Sequence, residues 1–264
     1  MPFRMPARLG HVLRTSIDFT LQPAQVGDWL QLGLRLLFAQ SGGLWNQFDT
    51  WRRVLQSRGA SPEQREAVIS EVRDLFPSVV LLLEALVDAG GQPRFADVLP
   101  LLGRLTARYY SISSSARMFP HRPHITVGVV HDMTPKGVAI HGICSNYLAR
   151  VQPGERVIAT IRKSTFRAPH DPQAPTILVG PGTGYAPLHG FLQDRQAQLE
   201  WDGAGLGPCH LFSGCRVAPD RIYAAQIDQW AQQGAVISRL HLALSRADTT
   251  RRVYVQSLLR EMGQ

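Results

Sequence analysis

The spacing of apolar positions changes twice along the chain. From Trp45 to Leu102 it is helical: Trp51, Val54 and Leu55 fall at i, i+3 and i+4, and Val68, Val72 and Leu75 extend one face. Ser61-Pro62-Glu63 reads as a helix start, with a hydroxyl cap, a proline at the first position and an early acid. Pro77 ends that helix or begins another. Ser78–Val87 is apolar on most sides, which predicts burial, and Gly90-Gly91 breaks it ahead of the short apolar segment Phe95–Leu102. Upstream, Ser16–Leu21 alternates like a strand and Ser41–Gly43 reads as a turn. Trp29–Ala39 is leucine-rich but short and contains Arg35, so it predicts a buried helix or strand; a membrane span needs about 20 apolar residues.

Beyond Arg104 the period shortens to two. Arg108–Ser113, His124–Val130 and Arg156–Arg162 are β-branched and alternating and predict strands. Pro153-Gly154 is a turn, and Gly142–Arg150 reads as a loop entering a helix. This block predicts an antiparallel barrel. Beyond Pro169 the texture changes again. Strands are predicted at Thr176–Val179, Cys209–Gly214 and Val236–Ala243, and helices at Pro187–Leu199, Ala225–Gln233 and Val253–Met262. Alternating strand and helix is the pattern of a parallel sheet, here short of a complete one.

Composition narrows the class. Hydrophobic residues are 44% and charged residues 18%, which excludes a disordered charged tail. The three cysteines, Cys144, Cys209 and Cys215, stand outside zinc-ligand spacing; this predicts no metal site, no disulfide scaffold and a reducing, cytoplasmic setting. A net charge of +8 points first to nucleic acid. No run of five Lys/Arg and no basic-aromatic interleaving supports that, so no nucleic-acid partner is expected. The excess arginine is either a solvated surface or an attraction for anionic cofactors or an acidic protein. Met1–Pro23 holds Arg4, Arg8 and Arg14 with no acid before Asp18, a presequence-like composition without an amphipathic period.

Four short motifs bear chemistry. Gly180-Pro181-Gly182-Thr183-Gly184 follows a strand and opens a helix, where glycines let the backbone approach a diphosphate and the helix end supplies N–H groups. A tight turn without a ligand would need fewer glycines. Ser245-Arg246 follows the third strand, with Arg252 and Tyr254 close behind. Guanidinium groups there suit a 2′-phosphate, hence NADP over NAD, the alternative being a charged surface loop. Arg108-Tyr109-Tyr110-Ser111 offers a phosphate ligand, stacking rings and a hydroxyl, or simply an aromatic barrel strand. Gly142-Ile143-Cys144-Ser145 is a phosphate seat or a helix start with Ser145 as N-cap.

Taken in order, RYYSISSS at Arg108–Ser115, HITVGVV at His124–Val130, GICSNYLA at Gly142–Ala149, GPGTGYAPLHGFLQDR at Gly180–Arg195, FSGCR at Phe212–Arg216, SR at Ser245-Arg246 and RVYVQ at Arg252–Gln256 resemble the flavin–NADPH half of the diflavin reductases. That family includes the NADPH–haemoprotein reductases, the sulfite reductase flavoprotein and the reductase half of nitric-oxide synthase. The resemblance covers Leu101 to Glu261 strongly and 45–100 more weakly. It implies an α/β plus β-barrel fold like that of ferredoxin-NADP reductase: an incomplete antiparallel FAD-binding barrel with a helical insertion, then a truncated parallel-sheet NADP-binding domain. The boundaries expected are 1–44 for a divergent N-terminal segment, 45–103 for connecting helices, 104–168 for the barrel part and 169–264 for the NADP-binding domain.

The resemblance also implies roles. FAD and NADPH would be the cofactors. Arg108 would contact the FAD pyrophosphate. Tyr110, beside Tyr109, would stack on the isoalloxazine, and Ser111 would be the catalytic hydroxyl near flavin N5. Thr126, Val127 and Gly128 would line the FAD, and Gly142, Ile143, Cys144 and Ser145 would seat its diphosphate. Gly182 and Thr183 would bind the NADPH diphosphate. Ser245, Arg246, Arg252, Tyr254 and Gln256 would hold the 2′-phosphate end. Hydride would pass from NADPH to FAD, and electrons onward to an FMN-domain or haem-protein acceptor on another chain.

Departures from the family pattern set the alternatives. No FMN-binding domain is evident, residues 1–44 do not match the first barrel strands, and the sequence stops before the family's Cys-Gly-Asp segment and terminal aromatic; Cys215 is not that cysteine. Activity is therefore expected to be impaired. The alternatives are an inactive remnant with weak or no cofactor binding, a sulfite reductase flavoprotein-type component and, remotely, a nucleic-acid-binding module.

Overall fold

The computed structural model describes residues 17–18, 22–37, 43–203, 205–248 and 252–263. The chain divides into two compact units, 1–108 with 130–146, and 109–129 with 147–264.

The first unit is mainly helical. Strand β1 (Ile17–Asp18) is followed by helices α1 (Val26–Leu36), α2 (Gly43–Gln56), α3 (Pro62–Leu75), α4 (Val79–Asp88) and α5 (Phe95–Val98). Strand β2 (Gly103–Arg104) returns to pair antiparallel with β1. Of the expected strand Ser16–Leu21, residues 16 and 19–21 lie outside the described residues, as do 1–15 and 41–42 of the presequence-like segment and the turn. Of Trp29–Ala39, residues 29–36 are helix and Leu37 is its C-cap, while 38–39 lie outside the described residues. α3 begins where Ser61 and Pro62 place it: the Ser61 hydroxyl accepts from the Gln64 N–H, and the Gln64 side chain accepts from the Ser61 N–H. This is a reciprocal capping box, made with Gln64 rather than the neighbouring acid. Ser78 caps α4 through the Leu81 N–H. The apolar faces converge on Trp29, Leu30, Phe48, Trp51, Val72, Leu82 and Leu86. Each fully buried leucine contributes about 2 kcal/mol of transfer free energy. Gly33 lets α1 approach α2, because a Cβ there would run into the Phe48 ring. Buried Asp49 is tied to Arg52 and Arg53, and the Arg52 hydrogen bond holds its carboxyl below the usual range.

Strands β3 (His131–Met133) and β4 (Ala139–His141) form a hairpin belonging to this unit, with Gly137 at φ +78° in its loop. Helix α6 (Ile143–Leu148) follows directly.

The second unit is a three-stranded parallel sheet with helices. Its elements are β5 (Thr176–Pro181), α7 (Ala186–Trp201), β6 (Cys209–Cys215), α8 (Ala224–Gln233), β7 (Arg239–Leu244) and α9 (Val255–Met262), with sheet order β5-β6-β7. Leu178, Leu211 and the half-buried Leu240 sit in register and face Tyr185, Leu188 and Leu192 from the α7 region and Ile227 and Trp230 from α8. The opposite face presents Ile177, Val179, His210, Phe212 and His241, and α9 packs there through Val255, beside Gly214.

The small antiparallel sheets and the parallel sheet with helices match the expected fold class. Three strand spans need correction. Arg108–Ser113 and His124–Val130 form no strand ladder; they meet at one bridge, Ile112 to Ile125, and the Ser113 N–H donates to the His124 carbonyl. Arg156–Arg162 pairs with nothing described, and Ile158 and Ile161 are 96% and 77% exposed. Alternation marks a segment able to join a sheet; a ladder also needs a neighbour. The hairpin instead begins at His131, one residue past the expected strand. No described helix is long and apolar enough to cross a membrane, and no group of three or more described His, Cys, Asp or Glu could hold a metal ion.

Candidate functional site

In the second unit the parallel strands end on one edge. After β5 the chain turns through a 3-10 helix, Gly182–Tyr185, into α7. Gly182 has φ +55°, which favours glycine. A Cβ on Gly180 would lie 2.7 Å from Leu188 and 2.9 Å from the Tyr185 backbone, so the turn needs glycine for closeness as well. The turn leaves Thr183 exposed at the strand edge. After β7, the Ser245 N–H donates to the Cys215 carbonyl and the Arg246 N–H to the Arg216 carbonyl, at 3.0 and 2.8 Å. The pairing thus runs past the strand ends and sets Arg246 beside Arg216. Arg252, Tyr254 and Gln256 are exposed around the start of α9, where Tyr254 is the N-cap residue. Arg216, bonded to Asp220 at 3.1 Å, was not anticipated as a site residue, although it ends the FSGCR motif.

The segments 109–115 and 124–128 belong to this unit too. Tyr109 is exposed, with the Arg162 guanidinium 5.6 Å from its ring centre. Tyr110 is half-buried and Ser111 exposed, while Ser113, Ser114 and Ser115 are buried against α7. The Ser113 carbonyl meets His189 Nδ1 at 2.6 Å; a carbonyl only accepts, so Nδ1 holds the proton. The Ser115 N–H donates to Gln193 and its hydroxyl to Asp194. Gly190 permits this approach, since a Cβ would stand 3.1 Å from the Ser114 carbonyl oxygen. The Thr126 hydroxyl meets the Tyr223 hydroxyl at 2.7 Å. Half-buried Val127 sits between Thr126 and Gly128. A Cβ on Gly128 would lie 3.3 Å from Thr183 Cγ2, so the expected flavin-lining and nicotinamide-diphosphate positions are neighbours. His189, Gln193 and Tyr223, like Arg216, are residues that sequence reasoning missed; His189 and Gln193 lie inside the quoted LHGFLQDR stretch.

In the first unit, Arg108 Nη1 donates to the Thr106 carbonyl and hydroxyl at 2.5 and 2.6 Å. The Gly142–Ser145 loop is pinned to Val130. The Ser145 hydroxyl accepts from the Val130 N–H and donates to the Gly142 carbonyl, and the Asn146 amide donates to both the Val130 and Gly142 carbonyls at 2.9 Å. Ser145 therefore lies inside α6 and is not its N-cap. The first turn leaves the N–H groups of Ile143, Cys144 and Ser145 without intrahelical acceptors, which suits an anion. A Cβ on Gly142 would come within 2.6 Å of Ser145 Oγ and 2.8 Å of Val130 Cβ. Cys215, whose thiol burial pushes up, donates to the Val217 carbonyl.

Two glycine-bearing turns that open helices, one in each unit, are the arrangement of a protein that holds two dinucleotides. Residues 63–147 match the FAD binding domain family, and residues 178–264 match the oxidoreductase NAD-binding domain family. The chain is 40% identical over 216 residues to an NADPH–cytochrome P450 reductase of Drosophila melanogaster, covering 80% of this chain and 31% of that protein. It is 44% identical over 215 residues to the bifunctional cytochrome P450/NADPH–P450 reductase 1 of Bacillus subtilis (80% and 19%) and 40% identical over 194 residues to nitric oxide synthase 3 of Sus scrofa (72% and 15%). The chain spans less than a third of the length of these relatives. It belongs to the diflavin reductases, in their FAD- and NADPH-binding half.

Proposed function

We propose that this chain accepts hydride from NADPH at a bound FAD and delivers the electrons to an FMN- or haem-containing protein. The closeness of Gly128 to Thr183, where a Cβ on the glycine would lie 3.3 Å from Thr183 Cγ2, supports this reading best, because the first is proposed to line the flavin and the second to bind the nicotinamide diphosphate. When bound, the two cofactors supply the hydride donor and the flavin acceptor; the protein supplies position and charge. Gly182 and Thr183 present N–H groups to the nicotinamide diphosphate. Arg246, Ser245 and Arg216 grip the 2′-phosphate, with Arg252, Tyr254 and Gln256 closing on the adenosine. Arg108 and the Gly142–Ser145 loop hold the FAD diphosphate. Tyr110 would stack on the flavin, and the Ser111 hydroxyl would offer it a hydrogen bond.

The proposed division keeps connecting helices at 45–103, the flavin-binding part at 104–168 and the NADP-binding part at 169–264. Cys144, Cys209 and Cys215 are free thiols, which favours a reducing, cytoplasmic setting. The names of the relatives favour a cytochrome P450 or similar haem partner. The test is reconstitution with FAD, a visible flavin spectrum, and anaerobic NADPH-dependent reduction of ferricyanide. Flavin absorbance that bleaches on NADPH is the expected result. A colourless protein that takes up no FAD overturns the proposal.

A further inference from the structure

The β3–β4 hairpin bears two histidines that none of the cofactor motifs includes. His131 and His141 are direct partners in the antiparallel register, so their side chains share one face of the ribbon. Their Nδ1 atoms are 3.0 Å apart, with ring centres at 5.1 Å and planes at 80°. Both residues are exposed. The pleat puts Met133 and Ala139 on the same face, and Asp132 and Ile140 on the other.

Two imidazole nitrogens this close share either a proton or a cation. Imidazole nitrogen binds first-row divalent ions at about 2.0–2.1 Å, so two such ligands at a right angle stand about 2.9 Å apart, and at a tetrahedral angle about 3.4 Å. The observed spacing suits the right angle, the geometry of tetragonal copper(II) or nickel(II). Copper(II) also leads the general affinity order for such ligands. We propose that His131 and His141 form a two-imidazole site for a tetragonal divalent ion, copper(II) ahead of nickel(II) and zinc(II), with water in the remaining positions. Binding requires the ring that donates in the present pair to move its proton to Nε2, and both exposed rings to turn about their soft χ2 angles, by roughly 45° from a linear hydrogen bond, so that both Nδ1 lone pairs aim at the ion.

The site lies one residue from the loop that holds Gly142. Val130 and Gly142, which flank the pair, are already joined by the Gly142 N–H to the Val130 carbonyl at 3.0 Å. A bound ion would close the same end of the hairpin with a second tie.

The test uses the tag-free full chain, titrated with copper(II), nickel(II) and zinc(II) in a non-coordinating buffer by calorimetry, with electron paramagnetic resonance on the copper-loaded protein. One copper ion per chain is expected, with nitrogen hyperfine structure from imidazole. His131→Ala and His141→Ala should each weaken copper roughly tenfold or more, since loss of a ligand exceeds loss of a ligand's support. His170→Ala, at another exposed histidine, should leave binding unchanged. Both histidines of the pair project into solvent, so circular dichroism should be the same for all variants. A wild-type chain without a stoichiometric site, or copper binding that survives the double substitution, overturns the proposal. Zinc binding as tightly as copper overturns the tetragonal assignment.

Discussion

Tyr223 lies flat on His189, with ring centres 3.8 Å apart and planes 14° apart. Tyr223 also has φ +55°, a left-handed backbone that costs a bulky residue about 1–3 kcal/mol. The stack and the hydroxyl contact with Thr126 offset that cost. Through His189 the same ring is coupled to the Ser113 carbonyl. The start of α8 and the body of α7 are thereby joined to both extended segments that bear Tyr110, Ser111 and Gly128.

Replacing Tyr223 with Phe keeps the stack and removes the contact at Thr126 Oγ1 and the longer one, 3.4 Å, at Ser113 Oγ. The expected loss is about 1 kcal/mol of stability, as for one hydrogen bond, together with faster release of FAD. Thermal melts and flavin fluorescence during dilution measure the two effects. An unchanged melting temperature would show that the hydroxyl pair contributes nothing.

Arg246→Ala should weaken NADPH far more than NADH, because only NADPH presents the extra phosphate. Loss of a charge-assisted grip is worth about 1.5–3 kcal/mol, roughly ten- to a hundredfold in affinity. Titration of both nucleotides checks this. Equal losses would place the 2′-phosphate elsewhere.

Gly142→Ala should impair FAD uptake without touching the nicotinamide side. The added methyl must displace Ser145 Oγ and Val130 Cβ, an overpacking cost of about 1–3 kcal/mol. Flavin content should fall while affinity for NADPH holds, as read by absorbance and by nucleotide titration.

His241 gives a pH-dependent stability. Burial, then His210, then Arg239 lower its pKa from 6.5, and its Nε2 is buried with no hydrogen-bond partner among the described residues. Between the lowered folded value and 6.5 the unfolded chain binds more protons, so stability rises with pH across that window and is lost as pH falls through it. Denaturant melts from about pH 5 to 8 should show this slope in the wild type and a flatter one in His241→Gln. Parallel curves would remove His241 from the account.

Much of this was legible in the sequence where the signal is local. Ser61 and Pro62 announce α3, and the strand–GPGTG–helix run announces the nicotinamide turn. Partner choice was not legible. The hairpin residues His131-Asp132-Met133 lack β-branched side chains, so nothing local marks a strand there. Arg156–Arg162 has the right alternation and no neighbour to pair with among the described residues. At the site, Ser145 reads as a cap because a hydroxyl near a helix start usually is one, but here it belongs to a tie with Val130. A left-handed tyrosine leaves no trace in composition or periodicity, so Tyr223 could only be found from the fold.

The stretch between α6 and β5 contains neither helix nor strand, and Arg156, Arg162, Lys163 and Arg167 in it are exposed. Such backbone can enter a protease cleft without first unfolding anything. Brief trypsin digestion should nick the molecule there and yield two pieces on a denaturing gel, one for each matched domain. Under native conditions those pieces should still travel together, clasped by the serines that grip α7.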